Sequence, residues 1–158
     1  MRYVLQRGKY DCAPTAIFNA MRHYEPKTHI SRYYDIKRMC KVNSVRNGTM
    51  FIDLYRTIHD LFNVYHAITV KMTAYEALNL VFTPIANRTA IMGLYYDDRN
   101  SHACFLEKYL PYTKTLVVSG MYSKVRRQYA EANSVRDLLY IFMLNGVKNT
   151  NEQKVEVT

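Results

Sequence analysis

The stretch Thr89–Ser119, TAIMGLYYDDRNSHACFLEKYLPYTKTLVVS, carries three short segments rich in β-formers: Thr89 to Tyr96, His102 to Tyr109 and Lys114 to Ser119. Polar or proline-containing turns, such as Asp97-Asp98-Arg99-Asn100, separate them. Branched and aromatic side chains fit a pleated surface, and runs of this length bounded by turn residues read as consecutive antiparallel strands.

The chain before this stretch is of another kind. Asp11-Cys12-Ala13-Pro14 opens a helix, because proline is accepted in a first turn. Ala16, Ile17, Ala20 and Met21 mark its apolar face, and the helix runs to about Tyr24. Ser31 to about Cys40 predicts a second helix, and Asn47-Gly48 a turn. Thr49 is placed to cap a third helix, in which Phe51, Tyr55, Ile58 and Phe62 recur as an apolar stripe. Asn63 to Lys71 reads as a strand, and Thr73-Ala74-Tyr75-Glu76 is a capping box for a short helix. After the strands, Ser134 to about Leu144 predicts a last helix, opened by Ser134-Val135-Arg136-Asp137 and ended by Asn145-Gly146. Helices first and a strand meander afterwards imply an α+β fold with helices on one side of an antiparallel sheet.

With 158 residues, 49% of them apolar, and only 5 Gly and 4 Pro, the chain has the composition of one compact domain, residues 1–147. The polar tail 148–158 is predicted disordered. The longest apolar run, Leu138 to Leu144, is seven residues, against about 20 for a bilayer crossing, so no membrane span is expected. The first residues, Met1-Arg2-Tyr3-Val4-Leu5-Gln6, lack a secretory signal's apolar core, which makes the cytoplasm the expected compartment. Three cysteines, Cys12, Cys40 and Cys104, show neither disulfide nor zinc spacing and are expected to be reduced thiols, with no metal or other cofactor.

Chemistry concentrates on few residues. A thiol at a helix N-terminus feels the positive end of the helix dipole, which favours the nucleophilic thiolate, and Cys12 is so placed. The thiolate needs a basic partner and donors for the tetrahedral oxyanion. His102, opening a strand just past a loop, is the candidate base. Gln6, close before Cys12, is the candidate side-chain donor to an oxyanion hole shared with the backbone N–H of Cys12.

Gln6-Arg7-Gly8-Lys9-Tyr10-Asp11-Cys12-Ala13-Pro14 resembles the opening of the papain-like peptidases that cut bacteriocin leaders after a double glycine. Asn47-Gly48-Thr49 is similar to that family's Gly-Thr before a helix, and His102-Ala103-Cys104-Phe105-Leu106 to its His-led apolar strand. The likeness spans roughly residues 1 to 120. It implies a papain-like fold and a cysteine peptidase in which Cys12 is the nucleophile, His102 the general base and later acid, and Gln6 an oxyanion donor. Two positions depart from the family: Ala13 stands where a Gly usually follows the nucleophile, and Ser119 occupies the place of the Asp or Asn that orients the imidazole. A serine hydroxyl can accept a hydrogen bond from the ring but brings no charge.

A rival expectation is a catalytically weak or silent protein on the same fold that binds an acidic protein. A net charge of 22 − 13 = +9 and the stretches Arg32 to Arg38 and Lys124 to Tyr129, which mix basic residues with tyrosine, suit a polyanion. No recognised nucleic-acid module matches, so nucleic acid is the lesser alternative. A zinc shell from His102, Cys104 and Cys40 or Cys12 lacks the spacing signature. Cys40 and Cys104 are expected in the core, and His23, His29, His59 and His66 are given no role.

Overall fold

The computed structural model describes residues 2–43, 48–95, 101–120, 126–134 and 137–148. Its elements in chain order are α1 (Cys12–Tyr24), α2 (Ser31–Met39), α3 (Phe51–Leu61), β1 (Phe62–Ile68), α4 (Ala74–Ala77), β2 (Thr89–Tyr95), β3 (Ser101–Leu110), β4 (Thr115–Ser119), β5 (Gln128–Glu131) and β6 (Leu138–Val147). The six strands form one antiparallel sheet in the order β1-β6-β2-β3-β4-β5. The fold class is therefore α+β, and the β2–β4 meander falls on the three segments expected to form it.

Helix α1 is almost wholly buried from Ala13 to Met21. It is the central helix, lying across β3. Its end follows from sequence: Glu25 N donates to Met21 O at 2.8 Å, and Pro26 has no N–H with which to continue. The capping box at α4 forms as its residues predict, with Glu76 N donating to Thr73 Oγ1 and Thr73 N donating to the Glu76 carboxylate. A π-helical turn, Leu78–Phe82, extends α4.

Four expectations are corrected. The segment predicted as a final helix from Ser134 to Leu144 is strand β6, preceded by a 3-10 turn at Ala132–Ser134. β6 runs between β1 and β2 and is covered on both faces, so Ile141, Phe142, Met143 and Leu144 are all buried. A strand buried on both faces loses its alternation and reads like a helix. Helices also cover both sides of the sheet rather than one. Ile91, Ala103, Phe105, Phe142 and Leu144 pack against α1–α3, while Ala90, Met92, Cys104, Leu106 and Met143 pack against Ala77, Val81, Phe82 and Ile85. Each large side chain fully buried in these two layers contributes about 1.5–3 kcal/mol.

The third correction concerns α3. Its cap position is Met50, with no side-chain cap, and the Thr49 hydroxyl is turned inward against the Cys40 thiol. The fourth is its buried face, which is Leu54, Thr57, Ile58 and Leu61 with Asp53, leaving Phe51 and Tyr55 of the expected stripe exposed. The expected turn at Asn47-Gly48 is closed at its described end by Gly48, with φ +129°, whose N–H and C=O pair with Asn43. The turn Asp97–Asn100 and the tail from residue 149 lie outside the described residues.

Candidate active site

Cys12 is the first residue of α1, and its neighbour Asp11 explains how the helix end is kept open. Asp11 occupies the N-cap position, yet its buried carboxylate makes no cap. Instead Asp11 Oδ2 accepts hydrogen bonds from Tyr33 Oη (3.2 Å) and Lys37 Nζ (3.1 Å), both on α2. Gly8 stands close against this carboxylate, since a Cβ there would lie 2.8 Å from Oδ2. The acid that would otherwise neutralise the first-turn N–H groups is thus held on another helix, and those groups remain for the sulfur.

The Cys12 thiol shares a hydrogen bond with the His102 side chain and receives the backbone N–H groups of Ala103 and Ala13. Burial pushes this thiol's pKa up, but the His102 hydrogen bond and charge, with the two N–H donors, outweigh burial and leave it lowered from the ordinary 9.0. His102 moves the opposite way. Burial lowers it, while the hydrogen bond and charge of Cys12 and the carbonyl of Gly120 raise it above the ordinary 6.5. The same contact moves the two groups in opposite directions, the thiol toward its charged form and the imidazole toward its own.

His102 is oriented by backbone. Its Nε2–H donates to the carbonyl of Gly120, which leaves Nδ1 for Cys12. Gly120 has φ +83°, a conformation that glycine adopts without strain, and this aims its carbonyl at the ring. Ser119 does not take the orienting role expected of it. Its hydroxyl is buried and accepts from Asn19 Nδ2 at 2.7 Å. Asn19 also holds the N-terminal segment, donating to Val4 O (3.1 Å) and accepting from Val4 N (2.9 Å). One buried amide therefore ties together the segment before Gln6, the helix of Cys12 and the end of β4 next to the carbonyl that holds His102.

Gln6 lies in the loop before α1, as expected, but its amide is engaged. Nε2 donates to Gly8 O (2.6 Å) and Lys9 O (3.0 Å), which uses both of its N–H bonds. In this arrangement the amide expected to serve an oxyanion is turned into its own loop.

On the side of Cys12 away from β4, Ala103, Gly93 and Tyr140 stand in one cross-strand row over β3, β2 and β6. The Tyr140 ring lies in the space a side chain at residue 93 would take: a Cβ on Gly93 would be 2.1 Å from Tyr140 Cε1. Tyr140 packs in the same cluster as Cys12, and burial followed by the negative charge of Cys12 pushes its hydroxyl pKa well up.

The other thiols differ from Cys12. Burial raises Cys40 to about 12 and Cys104 far above its usual range, as suits core residues. Among the described residues, no three His, Cys, Asp or Glu side chains converge to hold a metal ion. Also among them, no helix is long and apolar enough to cross a membrane. Part of the basic surface is internally paired: Arg32 and Arg38 both meet Asp35, and Arg127 Nε donates to Glu107 at 2.8 Å.

Residue types pointed to Cys12 and His102. They did not point to the Gly120 carbonyl, which has no side-chain signature, nor to Asn19, one polar residue on an apolar face. No protein-family model and no curated protein matches the chain.

Proposed function

We propose that the protein is a cysteine peptidase of papain-like architecture, hydrolysing an amide bond in a peptide or protein through Cys12 and His102. The observation that carries this reading is the Cys12 thiol at the N-terminus of a buried helix, hydrogen-bonded to His102 whose ring is held by the Gly120 carbonyl; the thiol lowered and the imidazole raised agree with it. No buried structural thiol needs such a partner, and Cys40 and Cys104 go the other way.

In this mechanism the Cys12 thiolate attacks the amide carbon and the carbonyl π electrons move to oxygen. The oxyanion is met by N–H groups at the start of α1, joined by the Gln6 amide once it leaves Gly8 and Lys9. The intermediate collapses, the C–N bond breaks, and His102 gives its Nδ1 proton to the departing amine. Water then attacks the thioester with His102 as base, releasing the acid and restoring the thiolate–imidazolium pair. Gly120 stands in for the usual carboxylate: its carbonyl fixes the ring's tautomer and direction but supplies only a dipole to the imidazolium.

A second reading, a silent member of the same fold that binds an acidic partner, draws on the engaged Gln6 amide and the missing carboxylate. Labelling with iodoacetamide at varied pH, read at each cysteine by mass spectrometry, separates the two. Alkylation follows the thiolate, so Cys12 should label with a midpoint below 9.0 and ahead of Cys40 and Cys104. In His102→Ala, burial is opposed only by backbone N–H groups, so the midpoint moves up and labelling at neutral pH falls, tenfold for each unit of movement. Equal labelling of all three thiols, or indifference to His102, would refute the peptidase. Given labelling as expected, Cys12→Ala should abolish cleavage of a peptide library and keep the fold.

A further inference from the structure

Helix α3 carries aromatic residues at positions that periodicity assigns to a core, and they are not in it. Phe51 is 45% exposed, Ile52 47% and Tyr55 40%, side by side on one face. Contiguous apolar surface of this kind marks a binding site more often than chance exposure. The patch is continuous with the nucleophile. Phe51 contacts Tyr140 (ring centroids 5.6 Å) and Phe142 (6.1 Å), and Tyr55 contacts Phe142 (5.9 Å). Tyr140 in turn lies over Gly93, in the row that ends at Ala103, whose N–H meets the Cys12 sulfur.

We propose that this aromatic face of α3 is a substrate subsite, receiving a bulky apolar side chain at one of the two residues on the acyl side of the bond that Cys12 attacks. The inference rests on the peptidase reading and names its substrate class. Which side of the bond faces α3 follows from the proton donor. His102 is held from the β4 side by Gly120 and must reach the leaving amine, so the amine half lies toward β4 and the acyl half toward β2 and β6. Two strand spacings, about 10 Å, separate Ala103 from Tyr140, a reach that two extended residues at about 3.3 Å each and one large side chain cover. Rings meeting edge to face with Phe51 and Tyr55 favour Phe, Tyr, Leu or Met. A double glycine would leave the patch in water, so the substrate implied here differs from that of the resembling family.

Three probes test this without a known substrate: the chloromethyl ketones of acetyl-Gly-Gly, acetyl-Phe-Gly and acetyl-Gly-Phe. Their rates of Cys12 alkylation are each normalised to iodoacetamide labelling of the same protein. The better aromatic probe should react about tenfold faster than the glycine probe in wild type, and the advantage should fall toward unity in Phe51→Ser and Tyr55→Ser. Equal rates for the three probes in wild type, or a preference that survives both variants, would overturn the subsite while leaving the peptidase intact. Failure of iodoacetamide to select Cys12 would sink the peptidase, and the subsite with it. A wild-type dimer dispersed by Phe51→Ser in sedimentation would assign the face to a second copy and also overturn the proposal.

Discussion

Replacing Asn19 with alanine removes a side chain that links three parts of the site. Asn19 is fully buried and makes three hydrogen bonds, to Val4 N at 2.9 Å, to Val4 O at 3.1 Å and to Ser119 Oγ at 2.7 Å. Each such bond is worth about 1 kcal/mol net, and partners left buried without one cost about 1–3 kcal/mol each. Water cannot readily reach Ser119, so the loss comes to about 3–5 kcal/mol. For a chain of this size each kcal/mol moves the melting temperature by about 2–4 °C, so Asn19→Ala should melt roughly 6–20 °C below wild type. Circular dichroism on heating and the urea midpoint measure it. Ser119→Ala breaks only the last bond and should cost about 1–2 kcal/mol. Because Ser119 precedes Gly120, both variants should also slow Cys12 alkylation near neutral pH, with the protein still folded at the assay temperature. A melting point for Asn19→Ala within about 2 °C of wild type, or a Ser119→Ala loss as large, would refute this assignment of Asn19.

Two further substitutions probe the walls of the site. Gly93→Ala puts a methyl group 2.1 Å from Tyr140 Cε1, so the ring must leave its place, at a cost of about 1–3 kcal/mol; Tyr140→Leu in the same chain should recover part of it, and denaturation midpoints decide. Asp11→Ala removes the acceptor of Tyr33 and Lys37 that keeps α1 against α2; charged hydrogen bonds of this kind are worth about 1.5–3 kcal/mol, and Asp11→Asn should lose less because it keeps an acceptor for Tyr33.

The parts of this fold that were legible in sequence are those where local chemistry and final environment agree. The run after Asp11-Cys12-Ala13-Pro14 forms α1 because its apolar residues face a core on nearly every side, and β2–β4 form where β-formers alternate with turn residues. The Thr73–Glu76 box needs only its own four residues. β6 misled because cover on both faces erases alternation, and α3 misled because part of its apolar stripe stays at the surface beside β6. Within the site, Cys12 and His102 could be named because their side chains carry the chemistry. The ring contact expected of Ser119 is made by a main-chain carbonyl one residue later, which sequence does not mark, and the Gln6 amide is turned into its own loop, which supplies two carbonyls that compete for it.

The position of β6 bears on how the protein is made. It enters the sheet between β1 and β2, pairing Phe62 with Val147 and Gly93 with Tyr140, although its residues come after all the other strands. A ribosome adds about 5–20 residues each second, so for some seconds the nascent chain holds Cys12 and His102 while β1 has no neighbour and Gly93 no ring above it. The Tyr140 ring that walls the Cys12 side of the sheet therefore arrives after the residues it covers. Closing contacts of such long sequence separation is also slow, which makes the docking of the ten residues of β6 a late step, one that completes the sheet and the wall beside Cys12 together.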